Sequence, residues 1–187
     1  MSKALVILAA GAEEMETVIT VDVLRRGEVA VTLAGLAGSE AVLCSRNVKL
    51  VPDMSLEEAM KSAPFDIVVC PGGAGGAQAM AQSAEVKKIL EDQEKDDKYI
   101  AAVCAGPTVL LNHGICKGKS ITSHPGCKEK MVASGNYKYL DERVVQDGKL
   151  ITSRGPGTSF EFALKIVENL KGKEKADSLI NPMLVKV

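Results

Sequence analysis

The stretch "YIAAVCAGPTVLL", residues 99–111, reads as a buried strand that turns abruptly into a helix. Five mostly apolar residues lead to Cys104, and Ala105 and Gly106 must make the bend. Pro107 suits the first helical position, where its missing N–H costs nothing. A hydrophobic strand feeding a helix in this way is the repeating unit of a parallel sheet covered on both faces.

The same unit recurs outward from this bend. Residues 4–10 predict a strand, and "EEMETVITVDVLRRG" a helix that ends on Arg25, Arg26 and the stop signal Gly27. "VAVTLAG" predicts the next strand, and "EAVLCS" with "VKLVPD" a short β excursion around Arg46 and Asn47. "SLEEAMKS" opens with a capping box from Ser55 to Glu58. "FDIVVCPGG" is a strand running into glycines, followed by helical sequence over 78–95. Beyond the quoted bend come the strand "KSITS", a hairpin "ERVVQDGKLITS" turning on Asp147-Gly148, and the helix "TSFEFALKIVENLKG" with a second capping box from Thr158 to Glu161. The C-terminal "DSLINPMLVKV" is apolar enough to pack on the body, beside the bend. Residues 1–187 are most simply one α/β domain, a mostly parallel sheet flanked by helices.

Composition narrows the function classes. With no Trp and 3% aromatic residues, the core must be aliphatic. The net charge of −1 comes from 23 basic and 24 acidic residues, well mixed, so no basic stripe marks a nucleic-acid partner. "ALVILAA" is too short to span a bilayer, and no membrane role is expected. Five cysteines, Cys44, Cys70, Cys104, Cys116 and Cys127, lack regular spacing and any CxxC pair, which fits a reduced, cytoplasmic compartment.

Ligands of such sheets bind outside the carboxyl ends of the strands. Cys104 sits at one of these ends, facing the N-terminus of the next helix, an environment that favours thiolate by roughly 0.3–2 kcal/mol. "AVCAG" parallels the G-x-S-x-G elbow of hydrolases, although a free cysteine there also suits a small core position. Gly72 and Gly73 offer backbone N–H groups for an oxyanion hole, or form a plain glycine turn. Among the first-helix acids, Glu13 and Glu14 suit helix capping. Glu16, beside the apolar Met15 and Ile19, is the one expected to be buried; a buried carboxyl keeps its proton and donates it toward sulfur. Cys104 is thus expected to titrate below the ordinary thiol value. Met15 and Met80 are expected core fillers. His124 follows another strand. No cofactor is expected, because the dinucleotide fingerprint from Gly73 and Gly75 meets Gln at position 78. His113-x2-Cys116 and His124-x2-Cys127 have zinc-like spacing, but a helix end and a strand end need not converge, and no metal is expected.

Four stretches, "LVILAAGAEEMETV", "VVCPGG", "AAVCAGPTVLL" and "LITSRGPGTSFEFAL", together resemble the Parkinsonism-associated deglycase branch of the ThiJ/PfpI superfamily, nearly end to end. The resemblance implies a flavodoxin-like three-layer sandwich and a homodimer. It also implies a cytoplasmic protein, with nucleus and mitochondrion as further compartments. By the family motif, Cys104 is the oxidation-sensitive nucleophile and Glu16 its protonated partner. Gly72, Gly73 and the Ala105 backbone line the site, and His124 is the pocket histidine. Arg46 stands near the pocket, contributed by the partner subunit, and Cys44 is a secondary oxidation-sensitive cysteine of the dimer region.

The chain departs from the motif where vertebrate relatives carry a peripheral cysteine and it has Val51. Ala105 occupies the position of the histidine found in the superfamily's proteases, which argues against peptidase activity. The amidotransferase reading lacks a later H-x-E. What remains is glutathione-independent conversion of α-oxoaldehydes, or deglycation of amine and thiol adducts. The alternative is a redox-sensing chaperone or regulatory binding protein with little turnover.

Overall fold

The computed structural model describes residues 1–186. The chain runs through β1 (Lys3–Leu8), α1 (Glu14–Arg26), β2 (Ala30–Gly35), β3 (Val42–Leu43), β4 (Lys49–Leu50), β5 (Met54–Ser55), α2 (Leu56–Met60) and β6 (Ile67–Cys70). It continues through α3 (Ala74–Gln82), α4 (Ala84–Lys95), β7 (Tyr99–Val103), α5 (Pro107–His113), β8 (Ser120–Ile121), α6 (Lys128–Ala133) and β9 (Lys138–Tyr139). The hairpin β10 (Val144–Asp147) and β11 (Leu150–Ser153) leads to α7 (Ser159–Lys171) and α8 (Lys173–Ile180).

Seven strands form one sheet in the order β10-β11-β7-β6-β1-β2-β5, parallel except for the β10–β11 pair. This is the mostly parallel, helix-flanked sheet that the apolar runs predict and the flavodoxin-like architecture that the resemblance implies. Strand residues alternate strictly between two cores, as the period of 2 requires. Leu5, Ile7, Val68, Cys70, Ile100 and Ala102 face the α2–α5 side. Ala4, Val6, Leu8, Ile67, Val69, Ala101 and Val103 face the side of α1 and α7. Both faces are dry, which is why these strands read as unbroken apolar runs.

Several local expectations need correction. "KSITS" leaves the main sheet and pairs with Lys138–Tyr139 instead. The 78–95 helix is two helices, because Ser83 caps a new N-terminus by accepting the Val86 N–H at 3.2 Å. The hairpin turn falls on Gly148 and Lys149, since Asp147 pairs with Leu150. Thr158 makes no side-chain cap for α7. Its hydroxyl is taken by Gly155, Ser153 and Arg154, while Glu161 pairs with Arg143. Met80 is core, but Met15 is exposed. The C-terminal segment packs on the body as expected, with Leu179 joined to Val23, Ala163 and Val167 of α1 and α7, and Met183 to Lys186 border Gly157 and Phe160.

The fold matters for function because the chain leaves β1 toward β2 on one side and reaches β6 and β7 on the other. The carboxyl ends of β1, β6 and β7 therefore open onto one crevice, the usual ligand position in such sheets.

Candidate active site

Cys104 stands one residue beyond β7 with φ +62°, a left-handed conformation for a non-glycine residue. Such a conformation costs about 1–3 kcal/mol and persists only where the surroundings hold it. Three main-chain bonds do so. Cys104 N–H donates to Ser153 at 3.0 Å, its carbonyl accepts from His124 N–H at 2.8 Å, and Gly106 N–H returns to Val103 at 2.8 Å. Gly106 must lack a side chain, because a Cβ there would lie 2.3 Å from the Cys70 carbonyl oxygen. Pro107 then starts α5 as expected.

Glu16 reaches this sulfur from α1, the helix after β1. It is fully buried, its Oε2 accepts the Gly72 N–H at 2.8 Å, and its Oε1 is buried without a hydrogen-bond partner. Burial lifts the carboxyl from 4.5 to about 7, against the lowering effect of its bonds to Cys104 and Gly72. The thiol moves up as well, to about 12, first through burial and then through the charge and hydrogen bonding of Glu16. The N–H groups of Gly73 and Ala105 pull it the other way. Because the two groups interact, they lose their protons as a pair: the first negative charge appears around pH 7, on the carboxyl side, and it holds back the second.

This corrects the thiol expected below its ordinary value. α5 has only two turns, and its dipole is outweighed by desolvation and by the neighbouring carboxylate. It also corrects the glycine assignment. The Gly72 N–H is engaged by Glu16, so Gly73 and Ala105 supply the donors at sulfur.

A cavity of about 790 Å³ opens above the sulfur, lined among others by Cys104, Ala105, Gly73, His124, Arg46 and Cys127. His124 Nδ1 accepts the Gly126 N–H at 3.0 Å, so in the neutral ring the proton sits on Nε2. Arg46 is among the residues lining the cavity of its own chain. It is placed there by Glu14, which accepts from the Arg46 N–H and the Ser45 hydroxyl, each at 2.9 Å. Glu14 is thus a buried clamp rather than a helix cap; Glu13 is the cap, accepting the Glu16 N–H at 2.8 Å. Sequence spacing could not reveal that role of Glu14, since its partners lie more than thirty residues away.

Cys44 is buried, and burial together with the charges of Glu14 and Glu13 raises its thiol. Unlike Cys104, Cys44 is not among the residues lining the cavity. His113 bonds the Met80 carbonyl at 3.0 Å. Among the described residues no three His, Cys, Asp or Glu side chains gather as metal ligands, so the two His-x2-Cys pairs do not converge. No helix among the described residues is long and apolar enough to cross a membrane.

The model of the DJ-1/PfpI family matches residues 2–169. The chain is 59% identical over 184 residues to the Parkinson disease protein 7 homolog of Danio rerio, covering 98% of this chain and 97% of that one. It is 47% identical over 172 residues to a Caenorhabditis elegans protein named glutathione-independent glyoxalase DJR-1.2, covering 92% and 90%. The crystal structure of Drosophila melanogaster DJ-1beta matches it with a TM-score of 0.96 at 55% identity, over 100% of both chains.

Proposed function

The chain belongs to the DJ-1/PfpI family, and from that membership we propose that it is a cysteine-dependent enzyme converting α-oxoaldehydes without glutathione. The observation that carries the reading is the Glu16–Cys104 pair beneath an accessible cavity: a nucleophile and a proton carrier that share one charge. The relative named as a glyoxalase supports the substrate class.

With methylglyoxal, the Cys104 thiol passes its proton to the Glu16 carboxylate as the sulfur adds to the aldehyde carbon, and a hemithioacetal forms. The carbonyl oxygen becomes negative beside the Gly73 and Ala105 N–H groups and takes up the proton that Glu16 received from sulfur. Glu16 moves a proton from the former aldehyde carbon to the neighbouring one through an enediol, leaving a thioester. Water hydrolyses the thioester, giving lactate and regenerating the thiol. His124, protonated on Nε2, donates to the substrate oxygens and does not act as the base. Arg46, on the cavity wall, donates to the ketone oxygen of the bound aldehyde and helps hold it. Hemiaminals and hemithioacetals of amines and thiols release the same aldehyde and feed the same route.

The test is lactate release from methylglyoxal by purified protein, without glutathione or scavenging buffers. Turnover in wild type and none in Cys104→Ala is expected; equal rates in the two would end the proposal.

A second reading, redox sensing, is favoured by the exposure of this thiol to the cavity, whereas Cys44, Cys70 and Cys116 are buried. Peroxide would oxidise Cys104 first, to sulfenic and then sulfinic acid. A homodimer is supported by the exposed apolar residues Met15, Val18, Leu43, Val48 and Val51 on α1 and the β3–β4 hairpin. That face adjoins the cavity through Met15 and Arg46. The proposed compartment is the cytoplasm, which suits five free thiols.

A further inference from the structure

Two of the five cysteines, Cys104 and Cys127, are not buried, and both line the same cavity. Cys127 also borders an adjoining groove of about 450 Å³ that shares Ala74 and Ala105 with the cavity. The main chain ties the two cysteines together in two steps. The Cys104 carbonyl accepts the His124 N–H at 2.8 Å, and the His124 carbonyl accepts the Cys127 N–H at 2.8 Å. From these contacts we propose that Cys127 is the resolving thiol for Cys104: it captures the sulfenic acid formed there by peroxide and closes an intramolecular Cys104–Cys127 disulfide. The proposal rests on the redox reading of Cys104 given above and adds the residue that limits it.

The chemistry balances in two steps. Hydrogen peroxide transfers one oxygen to the Cys104 sulfur, forming S–OH and releasing one water. The Cys127 sulfur then attacks the Cys104 sulfur; the S–S bond forms, the S–O bond breaks, and the hydroxide leaves as a second water with the Cys127 proton. Peroxide is reduced and the two thiols are oxidised. An external dithiol restores both.

A disulfide needs Cα atoms within about 7 Å, so the Pro125–Cys127 turn is the element that must meet the elbow. It is a single 3₁₀ turn, exposed at Pro125 and Gly126. A Cβ built on Gly126 would have only the His124 ring within 4 Å, so the tip of the turn is open on that side. Burial raises the Cys127 thiol, while the charge of Lys130 on the same side lowers it.

Resolution is unimolecular, whereas conversion of sulfenic to sulfinic acid consumes a second peroxide. Product distribution therefore depends on peroxide concentration. With one equivalent of hydrogen peroxide, peptide mapping under non-reducing conditions should find a Cys104–Cys127 cross-linked peptide, lighter by two hydrogens and carrying no added oxygen. Excess peroxide should shift the product toward Cys104 sulfinic acid. At one equivalent, Cys127→Ser, and independently Cys127→Ala, should give no cross-link and instead dimedone-trappable Cys104 sulfenic acid, with sulfinic acid on at most half of the chains, while Cys116→Ser behaves as wild type. Cys104 sulfinic acid with Cys127 still a free thiol, at one equivalent in wild type, would overturn the resolving role and leave the redox reading intact. A Cys104 left unmodified would overturn both.

Discussion

The Gly72 N–H donates to Glu16 Oε2 at 2.8 Å, and this glycine lies against both Glu16 and Cys104. A Cβ on Gly72 would stand 2.6 Å from Glu16 Oε2 and 2.6 Å from the Cys104 Cβ. Gly72→Ala must therefore displace one of the two. Overpacking of this kind costs about 1–3 kcal/mol, and misplacement by about 1 Å costs on the order of 10²-fold in rate. Gly157→Ala, whose Cβ would meet nothing within 4 Å, should leave stability and rate near wild type. Chemical denaturation and methylglyoxal turnover of the two variants check the contrast. Wild-type activity in Gly72→Ala would show that the pair need not be this close.

Replacing Glu16 by Gln keeps an oxygen for the Gly72 N–H but removes the mobile proton and the charge. Turnover should fall by about 10²–10⁴-fold, the usual worth of a positioned acid–base group. The Cys104 thiol should titrate lower than in wild type, because the carboxylate that raises it is gone. Thiolate absorbance against pH, with Cys104→Ala as the blank, measures this directly. An upward or absent shift would mean that the two groups do not share a charge.

The same pair shapes stability. The folded chain holds a proton on Glu16 up to about pH 7, whereas the unfolded carboxyl releases it near 4.5. Between those values the native state binds more protons than the unfolded one, so stability contributed by this group is full below about 4.5 and declines as pH rises to 7. At ~1.4 kcal/mol per pKa unit the decline is about 3 kcal/mol. Urea unfolding of wild type and Glu16→Gln across this window should show the variant gaining on wild type as pH rises. A constant difference would place the Glu16 titration elsewhere.

Much of this was legible in the sequence, for identifiable reasons. The two-faced burial of β1, β6 and β7 leaves a pattern of unbroken apolar residues, and the Cys104 bend is written in Gly106 and Pro107. Glu16 stood out from Glu13 and Glu14 by its apolar neighbours. What the sequence could not show depends on long-range contact or on desolvation. Glu14 finds Ser45 and Arg46 across the crevice, and Thr158 is drawn from its cap by Ser153 and Gly155. Met15 faces outward although its neighbour Glu16 is buried. The direction of the Cys104 shift follows from the depth of the pocket, which local spacing does not encode.

Glu14 offers a way to separate binding from chemistry. Its carboxylate holds the Ser45 hydroxyl and the Arg46 N–H, and hydrogen bonds to a charged group contribute about 1.5–3 kcal/mol. Glu14→Ala should release the β3–β4 hairpin and with it the position of Arg46, raising KM for methylglyoxal more than it lowers kcat. Glu14→Gln, which can keep one acceptor, should recover part of the loss. A fall in kcat alone would place Glu14 in the chemical step instead.

The apolar face of α1 and the β3–β4 hairpin carries the last prediction. Val18 is 47% and Val51 69% exposed, and the two border one depression together with Val21, Leu33 and Leu50. Asp22, Arg25 and Arg26 rim this apolar patch; exposed apolar surface with a polar rim marks an interaction site, and a second copy of the chain is the proposed occupant. Val51→Asp should convert the solution species from twice the chain mass to one, as read by sedimentation equilibrium. Because Val51 is mostly exposed in the single chain, the substitution should leave the fold of each protomer intact, with unfolding of the isolated chain shifted by no more than about 0.5 kcal/mol. The hairpin also carries Arg46 to the cavity, so separation of the protomers should weaken substrate binding without abolishing turnover. A wild-type chain that sediments as a monomer at micromolar concentration would remove the dimer from the proposal, and the Glu16–Cys104 chemistry would then have to stand within one chain.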